Sequence, residues 1–160
     1  MAMDSIDVAV AGQGELSQAQ RFYQSRGYGG AAIVSSDHVV VARAGACIVG
    51  VGRLCREDGL LWLRGMQIEP RYQRRGIGSM ILRQLEHAIR DRWCCCLPYG
   101  HLVGFYRQAA FEPAAGDLPP ALGARLGSYL ARGLDVLAMV RTVPVPARVP
   151  LDPASPLGAP

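Results

Sequence analysis

The stretch from Leu60 to Arg90 constrains the fold of this chain more than any other part of its sequence. Its first part, Leu60–Ile68, is an apolar run of strand length between a glycine and a proline, which predicts a buried strand. A polar and basic loop, Glu69–Arg75, follows this strand. The last part, Gly76–Arg90, repeats apolar residues at intervals of one helical turn, which predicts an amphipathic helix.

The junction between the loop and the helix has the composition of an anion-binding site. The N-terminus of a helix offers unpaired backbone N–H groups and the positive end of the helix dipole. Gly76 and Gly78 have no Cβ, so a phosphate can approach the backbone closely, and Arg74 and Arg75 add positive charge. These residues predict a pyrophosphate site. They are also compatible with a solvated basic turn that precedes an ordinary surface helix.

Two common phosphate-binding motifs do not fit this junction. A P-loop ends in Gly-Lys-Ser/Thr, and no segment of the chain has that ending. The dinucleotide-binding motif G-x-G-x-x-G requires a glycine at position 81, where the sequence has Ile81. The junction Gln73–Gly78, QRRGIG, instead resembles motif A of the GNAT family of N-acetyltransferases, which reads Q/R-x-x-G-x-G/A between a strand and a helix. Ile68-Glu69-Pro70 ahead of it is also similar to the family pattern.

A second segment resembles the same family. Phe105–Phe111, FYRQAAF, is similar to motif B, F-Y-x-x-x-G-F, with Ala110 where glycine is usual. The resemblance implies that Tyr106 is the general acid that gives a proton to the departing CoA thiolate. The residues alone are also compatible with a structural role for Tyr106, as a half-buried aromatic residue on a helix. Seven residues earlier Tyr99 replaces the asparagine of many members, which weakens the expectation of a side-chain hydrogen bond to pantetheine there.

The resemblance implies that acetyl-CoA is the cosubstrate and that no metal is needed. In the family, strands four and five splay apart, pantetheine pairs with strand four, and the pyrophosphate lies at the helix N-terminus. A backbone N–H near Ile68 would polarise the acetyl carbonyl, and an amine held beside it would attack directly. The cofactor-binding residues that this implies are Met66, Gln67, Ile68, Gln73, Arg74, Arg75, Gly76, Ile77, Gly78 and Ser79.

The acceptor side of the site is less defined by the sequence. The resemblance implies a primary amine, on a small molecule or on a protein or peptide, as the acceptor. Phe22, Tyr23 and Tyr28 lie in the region that varies among family members and lines the acceptor site, although Phe22 fits a core position better. No general base is assigned, because Trp62 stands where some members have a glutamate. A water relay is an equal alternative to the nearest carboxylates by sequence, which are Glu57, Asp58 and Glu69.

The whole pattern predicts one domain, residues 1–143, with a mixed α/β sheet covered by helices on both faces, the GNAT fold. The strand at 93–97 should run parallel to Leu60–Ile68, because a helix connects the two. A tail with six prolines, residues 144–160, follows. The other predicted strands are 6–10, 38–43, 47–55, 134–141 and a weak one at 111–114, and the other predicted helices are 15–26, 101–110 and 119–132.

The composition limits the partners and the cellular compartment that we expect for the protein. The formal net charge is +4, but the arginines are scattered and only Arg74 and Arg75 are adjacent, so no nucleic-acid partner is expected. The five cysteines form no spaced framework, and the run Cys94–Cys96 is interpreted as part of a buried strand. No signal peptide or membrane-spanning run is visible, so a cytoplasmic protein without a membrane partner is expected. A homodimer is compatible with the sequence.

Three hypotheses of function follow from these patterns. The first is an acetyl-CoA-dependent N-acetyltransferase. The second is a non-catalytic acyl-CoA-binding or sensing domain of the same fold, which a blocked acceptor cleft at Tyr28 or Tyr99 would favour. The third is a basic nucleic-acid-binding domain, which would need a contiguous arginine face.

Overall fold

The computed structural model describes residues 5–142 of the chain. The predicted proline-rich tail, residues 144–160, lies outside the described residues. The strands are β1 (Ile6–Val10), β2 (His38–Ala44), β3 (Cys47–Glu57), β4 (Leu60–Ile68), β5 (Cys94–Cys96), β6 (Glu112–Pro113) and β7 (Met139–Arg141). The helices are α1 (Leu16–Ser25), α2 (Ile77–Ile89), α3 (Val103–Arg107) and α4 (Pro120–Ala131), with 3-10 turns at Gln13–Glu15, Pro70–Tyr72 and Gly100–Leu102.

The strands form one mixed sheet in the order β1-β2-β3-β4-β5-β7-β6. Strands β2, β3 and β4 form an antiparallel meander. Asp58 and Gly59 both have positive φ, 53° and 74°, and join β3 to β4 in a two-residue turn. Such a turn matches the twist of a hairpin, and it places Glu57 opposite Leu60. The predicted mixed sheet is confirmed.

Strands β4 and β5 are parallel, as the intervening helix α2 requires. Their pairing consists of a single position, Trp62 opposite Cys95. From Leu63 onward β4 keeps its partner β3 on one side and has no paired strand on the other. The predicted separation of strands four and five is confirmed, and it leaves an opening in the sheet.

Helices cover both faces of this sheet. The larger core lies under α2, where Ile81, Leu85 and Ile89 pack on Val40 and Leu63. The opposite face carries two smaller cores, one under α1 and one under α4. Among residues 5–142, no helix is both long enough and apolar enough to cross a membrane.

Two predicted elements differ most from the structure. The predicted helix 101–110 is a 3-10 turn followed by the five-residue helix α3, because Ala110 adopts a φ of 65° and ends the helical path. The predicted strand 134–141 is regular only over β7. Its first half bonds to residues 98–100 instead, through Leu137 N–H to the Pro98 carbonyl oxygen at 3.1 Å and an isolated bridge between Val136 and Tyr99.

The three consecutive cysteines of β5 are buried on alternate faces of the sheet. Cys94 and Cys96 lie in the core under α2, and Cys95 lies with Trp62 in the core under α4. Burial raises the pKa of the Cys94 and Cys95 thiols to about 12 and that of Cys96 well above its usual value. The interpretation of this run as part of a buried strand is confirmed.

A thiol-labelling experiment tests this arrangement. Of the five cysteines only Cys47 is exposed, so a water-soluble disulfide reagent should label about one thiol per folded chain and all five after unfolding. The Cys47→Ser variant is the control and should lose the rapid phase. Rapid native labelling of more than one thiol would contradict the burial of β5.

Candidate functional site

The opening beside β4 begins at a β-bulge. The register of β4 with β3 shifts between Val51 and Arg53, and Gly65 at this point has a φ of 68°. A Cβ at Gly65 would also overlap the hydroxyl of Tyr23, so both the backbone angle and the packing require glycine. A bulge bends its strand, and this one lies just after the position where β4 pairs with β5.

The free edge of β4 presents backbone groups to the opening. The N–H of Glu69 donates to the Val49 carbonyl oxygen at 2.8 Å, on the β3 side. Because backbone groups alternate along a strand, those of Ile68 point to the other side, toward the opening. The Ile68 carbonyl accepts a hydrogen bond from Gln73 Nε2 at 3.1 Å, which leaves the Ile68 N–H as a donor at this edge.

Helix α2 begins at the far end of the same loop. Its N-cap is Gly76, with a φ of 79°, and no side chain caps it. The first hydrogen bond of the helix joins Met80 N–H to the Gly76 carbonyl at 3.1 Å, so the preceding N–H groups have no acceptor in the helix. Arg74 also has a positive φ, 63°, and alternation of left- and right-handed residues forms a concave set of N–H groups that suits anions.

The side chains of this junction have different partners. Ser79 Oγ donates to Gln108 Oε1 at 3.1 Å, and the Arg75 guanidinium lies 5.2 Å from the centre of the Tyr72 ring. A Cβ at Gly78 would lie 3.4 Å from the Phe105 ring, about an ordinary van der Waals contact, so packing alone does not require glycine at this position. The arginine side chains at 74 and 75 are exposed.

A cavity of about 510 Å³ lies beside the opening, between the middle of β4, the end of β5, the segment 28–31, α3 and α4. Tyr28, Tyr99 and Tyr106 all line this cavity, and none of them fills it. Phe22 and Tyr23 do not line it, since both are buried in the core under α1. Of the three aromatic residues considered for the acceptor site, only Tyr28 is therefore in position to contact an acceptor.

Tyr106 forms part of the wall between the cavity and the larger core. Its side chain is 6% exposed and packs edge-on against the rings of Phe105 and Phe111, with centroids 5.0 and 6.1 Å away. Its hydroxyl forms no hydrogen bond within residues 5–142. Burial raises the pKa of Tyr106 above its ordinary value, so the phenol keeps its proton at neutral pH.

The turn after α3 holds Tyr106 in this wall. Its carbonyl oxygen accepts from the N–H groups of Ala109 and Phe111, at 3.1 and 3.3 Å. Between them Ala110 has a φ of 65°, the left-handed conformation that glycine adopts without strain. Buried Arg141 of β7 braces the turn by donating to the Ala109 carbonyl oxygen at 2.9 Å.

The cavity contains a charged cluster around Glu57, one of the carboxylates considered as a base, whose two arginine partners the sequence patterns did not indicate. Glu57 accepts hydrogen bonds from Arg64 at 2.7 Å and from Arg125 at 2.7 and 3.3 Å, and both guanidinium groups lie against the Trp62 ring. The bonds from Arg125 first, and then the charges of both arginines, lower the pKa of Glu57. Arg132 follows Arg125 by seven residues, a spacing of two helical turns that places both on one face of α4.

No metal site is visible in the described part of the chain. Residues 5–142 contain no group of three or more His, Cys, Asp or Glu side chains placed to hold a metal ion. The candidate site contains main-chain groups, arginines, the carboxylate of Glu57 and aromatic rings.

Comparisons with known proteins agree with this fold. Residues 35–113 match the family described as an acetyltransferase (GNAT) domain. The fold is similar to that of an acyl-CoA N-acyltransferase from Pseudomonas aeruginosa, with 14% identity, 86% of this chain and 100% of that chain covered, and a TM-score of 0.63. It is also similar to an acetyltransferase of the GNAT family from Staphylococcus aureus, with 16% identity, coverage of 86% and 98%, and a TM-score of 0.58.

A third similar structure contains ligands. It is the N-acetylglutamate synthase from Neisseria gonorrhoeae, complexed with coenzyme A and N-acetyl-glutamate, at 14% identity and a TM-score of 0.58. The likeness covers 88% of this chain and 35% of that longer one. At these identities the structures show the fold alone. A search of curated proteins finds no significant match to the sequence.

The strained turn beside Tyr106 generates a prediction about stability. A non-glycine residue in the left-handed conformation destabilises the folded state by about 1–2 kcal/mol. Glycine avoids this strain, but the greater flexibility of the unfolded chain offsets about 0.5–1 kcal/mol of the gain. Ala110→Gly should therefore raise the free energy of unfolding by about 0.5–1 kcal/mol in urea titrations. The control Ala124→Gly, on the exposed face of α4, should lower it by about 1 kcal/mol. A destabilised Ala110→Gly protein would contradict the strain.

Proposed function

Because residues 35–113 of this chain form a GNAT acetyltransferase domain, we propose that the protein is an N-acetyltransferase that moves the acetyl group of acetyl-CoA to a primary amine. One juxtaposition carries this proposal. The opening beside β4 has the uncapped start of α2 at one end and an unfilled cavity, lined by Tyr106, at the other. Such an arrangement suits an extended anionic cosubstrate that meets a second substrate at its tip.

The CoA part of the cosubstrate would be held mainly by backbone groups. Pantetheine would lie along the free edge of β4, at Met66, Gln67 and Ile68. The pyrophosphate would accept hydrogen bonds from the N–H groups between 74 and 79, with the exposed charges of Arg74 and Arg75 nearby. Gln73 supports this site indirectly, since its side chain ties the loop to the Ile68 carbonyl.

The reaction is a direct transfer. The amine nitrogen attacks the acetyl carbon while an N–H of β4 stabilises the developing oxyanion, so a C–N bond forms and the C–S bond breaks. CoA leaves as a thiolate and takes the proton of Tyr106, which the burial of the phenol keeps in place until then. The amine releases its proton to water, and Tyr106 takes up a proton from water.

The cavity offers no good general base. Glu57 is the one carboxylate among the described lining residues, and its two arginine partners lower its pKa. The same arginines favour a neutral amine over an ammonium ion, because a nearby like charge lowers the pKa of an amine. Loss of the amine proton to water is therefore the route that the cavity supports best.

The alternative is a non-catalytic acyl-CoA-binding domain of the same fold. A blocked acceptor cleft would favour it. Tyr28 and Tyr99 leave a cavity of about 510 Å³ between them and α4, which supports the catalytic proposal. We also propose a cytoplasmic setting, because the five free cysteines suit a reducing compartment.

Binding of CoA tests the cosubstrate site. Reversal of two charges beside the α2 N-terminus, Arg74→Glu with Arg75→Glu, should weaken CoA binding by roughly tenfold or more, because each change repels the pyrophosphate. Isothermal titration calorimetry measures the change. Arg21→Glu, at an exposed position of α1, is a matched control and should bind CoA as the wild type does. Equal CoA affinity of the wild type and the double variant would contradict this assignment of the pyrophosphate site.

The role of Tyr106 is tested by removal of its hydroxyl. Tyr106→Phe keeps the ring packing and should lower kcat by about 10²–10⁴-fold, with CoA affinity nearly unchanged. The loss should persist from about pH 7 to about pH 9, since the phenol is protonated throughout.

A second buried tyrosine provides the control. Tyr23→Phe removes a hydroxyl that is also buried and unpaired in the described structure but does not line the cavity. Its kcat should match the wild type. An equal kcat in both variants and the wild type would leave solvent as the proton donor.

A further inference from the structure

The acceptor cavity has an unusual balance of charge. Its charged lining residues are one carboxylate and three guanidinium groups, from Glu57, Arg64, Arg125 and Arg132. The segment 28–31 and the lining residues of β5 and α3 add none. The cavity is therefore positively charged as a whole.

The positive charge of the cluster around Glu57 is fixed in place. Arg64 and Arg125 share this single carboxylate, and their side chains are only 15% and 21% exposed. The Trp62 ring holds both guanidinium groups, with its centroid 5.6 and 4.6 Å from their central carbons. One half-buried positive charge remains without a counter-ion in this cluster.

Arg132 supplies a second positive charge. It lies at the end of α4, 5.9 Å from the centre of the Tyr129 ring, and forms no ion pair with any residue from 5 to 142. Its guanidinium can therefore turn toward a ligand in the cavity without breaking an existing pair. A planar fork of donors of this kind matches a carboxylate in two parallel hydrogen bonds.

On the premise of the proposed acetyl transfer, we propose that the acceptor is an amine that carries a carboxylate close to its amino group, such as an α-amino acid. Arg132 binds the carboxylate at the mouth of the cavity, and the cluster of Arg64 and Arg125 supplies the field that attracts it. The aromatic walls, which include Tyr28 and Trp62, contact the remainder of the molecule. Arg132 is thus a specificity-determining residue.

The same charges act against other amines. Polyamines and lysine-rich peptides would bring further positive charge into a cavity that already has an excess. A neutral amine would leave the guanidinium of Arg132 without a partner. The cavity thus selects by charge as well as by shape.

Matched acceptors test this inference. Steady-state acetylation is measured for several amino acids, each beside its carboxamide and its decarboxylated amine, with spermidine as the polycation. The chain contains no lysine, so acetylation of its own side chains does not add to the background. The acids should exceed their amides in kcat/KM by roughly tenfold or more, as expected for a hydrogen-bonded charge.

Variants of Arg132 assign the preference to this residue. Arg132→Gln should raise KM for the acids by roughly tenfold, leave kcat nearly unchanged and have little effect on the amides. Arg132→Lys should retain part of the preference, and the exposed control Arg21→Gln should retain all of it. Equal rates for acids and amides in the wild type, or equal losses for both in Arg132→Gln, would overturn the inference.

Two further arms separate the remaining outcomes. A preference for aminophosphonic acids over amino acids would overturn the carboxylate assignment in favour of a phosphoryl group. Calorimetric titration of the CoA-saturated protein with the acids and amides needs no turnover. Tighter binding of the acids there would support the carboxylate site even if no amine were acetylated, a result that would contradict only the proposed transfer, and equal binding would overturn the inference.

Discussion

The single paired position between β4 and β5 is the constraint on which the rest of the site depends. Trp62 lies opposite Cys95, and beyond it the two strands share no further pair. The bulge at Gly65 follows three residues later, and backbone groups at the edge of β4 beyond it point away from β3 and have no paired strand. Because α2 connects these two strands, its uncapped N-terminus lies at the end of that edge.

The two proposed ligands would be recognised by different means. The proposed cosubstrate would meet main-chain N–H groups, which every substitution except proline retains, with the conformations of Gly65 and Gly76 as the main requirements. The proposed acceptor would meet side chains from β3, β4 and α4 and the exposed Arg132 that follows α4. A chain of this kind can keep its donor while its acceptor changes, since specificity for the acceptor depends on few residues such as Arg132.

The fold could be predicted from the sequence wherever the signal was local. Leu60–Ile68 has the predicted bounds, and α2 differs from its prediction by one residue at each end. The prediction failed at the strand 134–141, because its first half pairs with residues 98–100, a contact that periodicity cannot show. The motif around Gly76 predicted one candidate site from six residues, and Gly76 is the N-cap of α2 in the structure.

The acceptor side could not be predicted for the same reason. Arg125 meets Glu57 across 68 positions of the sequence, and neither residue belongs to a motif. The glycines of α4 made this helix weak by propensity, although it covers Trp62 and closes the cavity. Only the spacing of Arg125 and Arg132 on one helical face could have indicated that α4 contributes to a site.

The short turns of the meander also affect the order in which the strands and helices fold. Strands β2, β3 and β4 are joined by two-residue turns, so their contacts close short loops and form early. The contact of Trp62 with Cys95 closes a loop of more than thirty residues, and that of Glu57 with Arg125 an even longer one. We therefore expect β5 and α4 to dock after the meander has formed, so that the candidate site is completed late in folding.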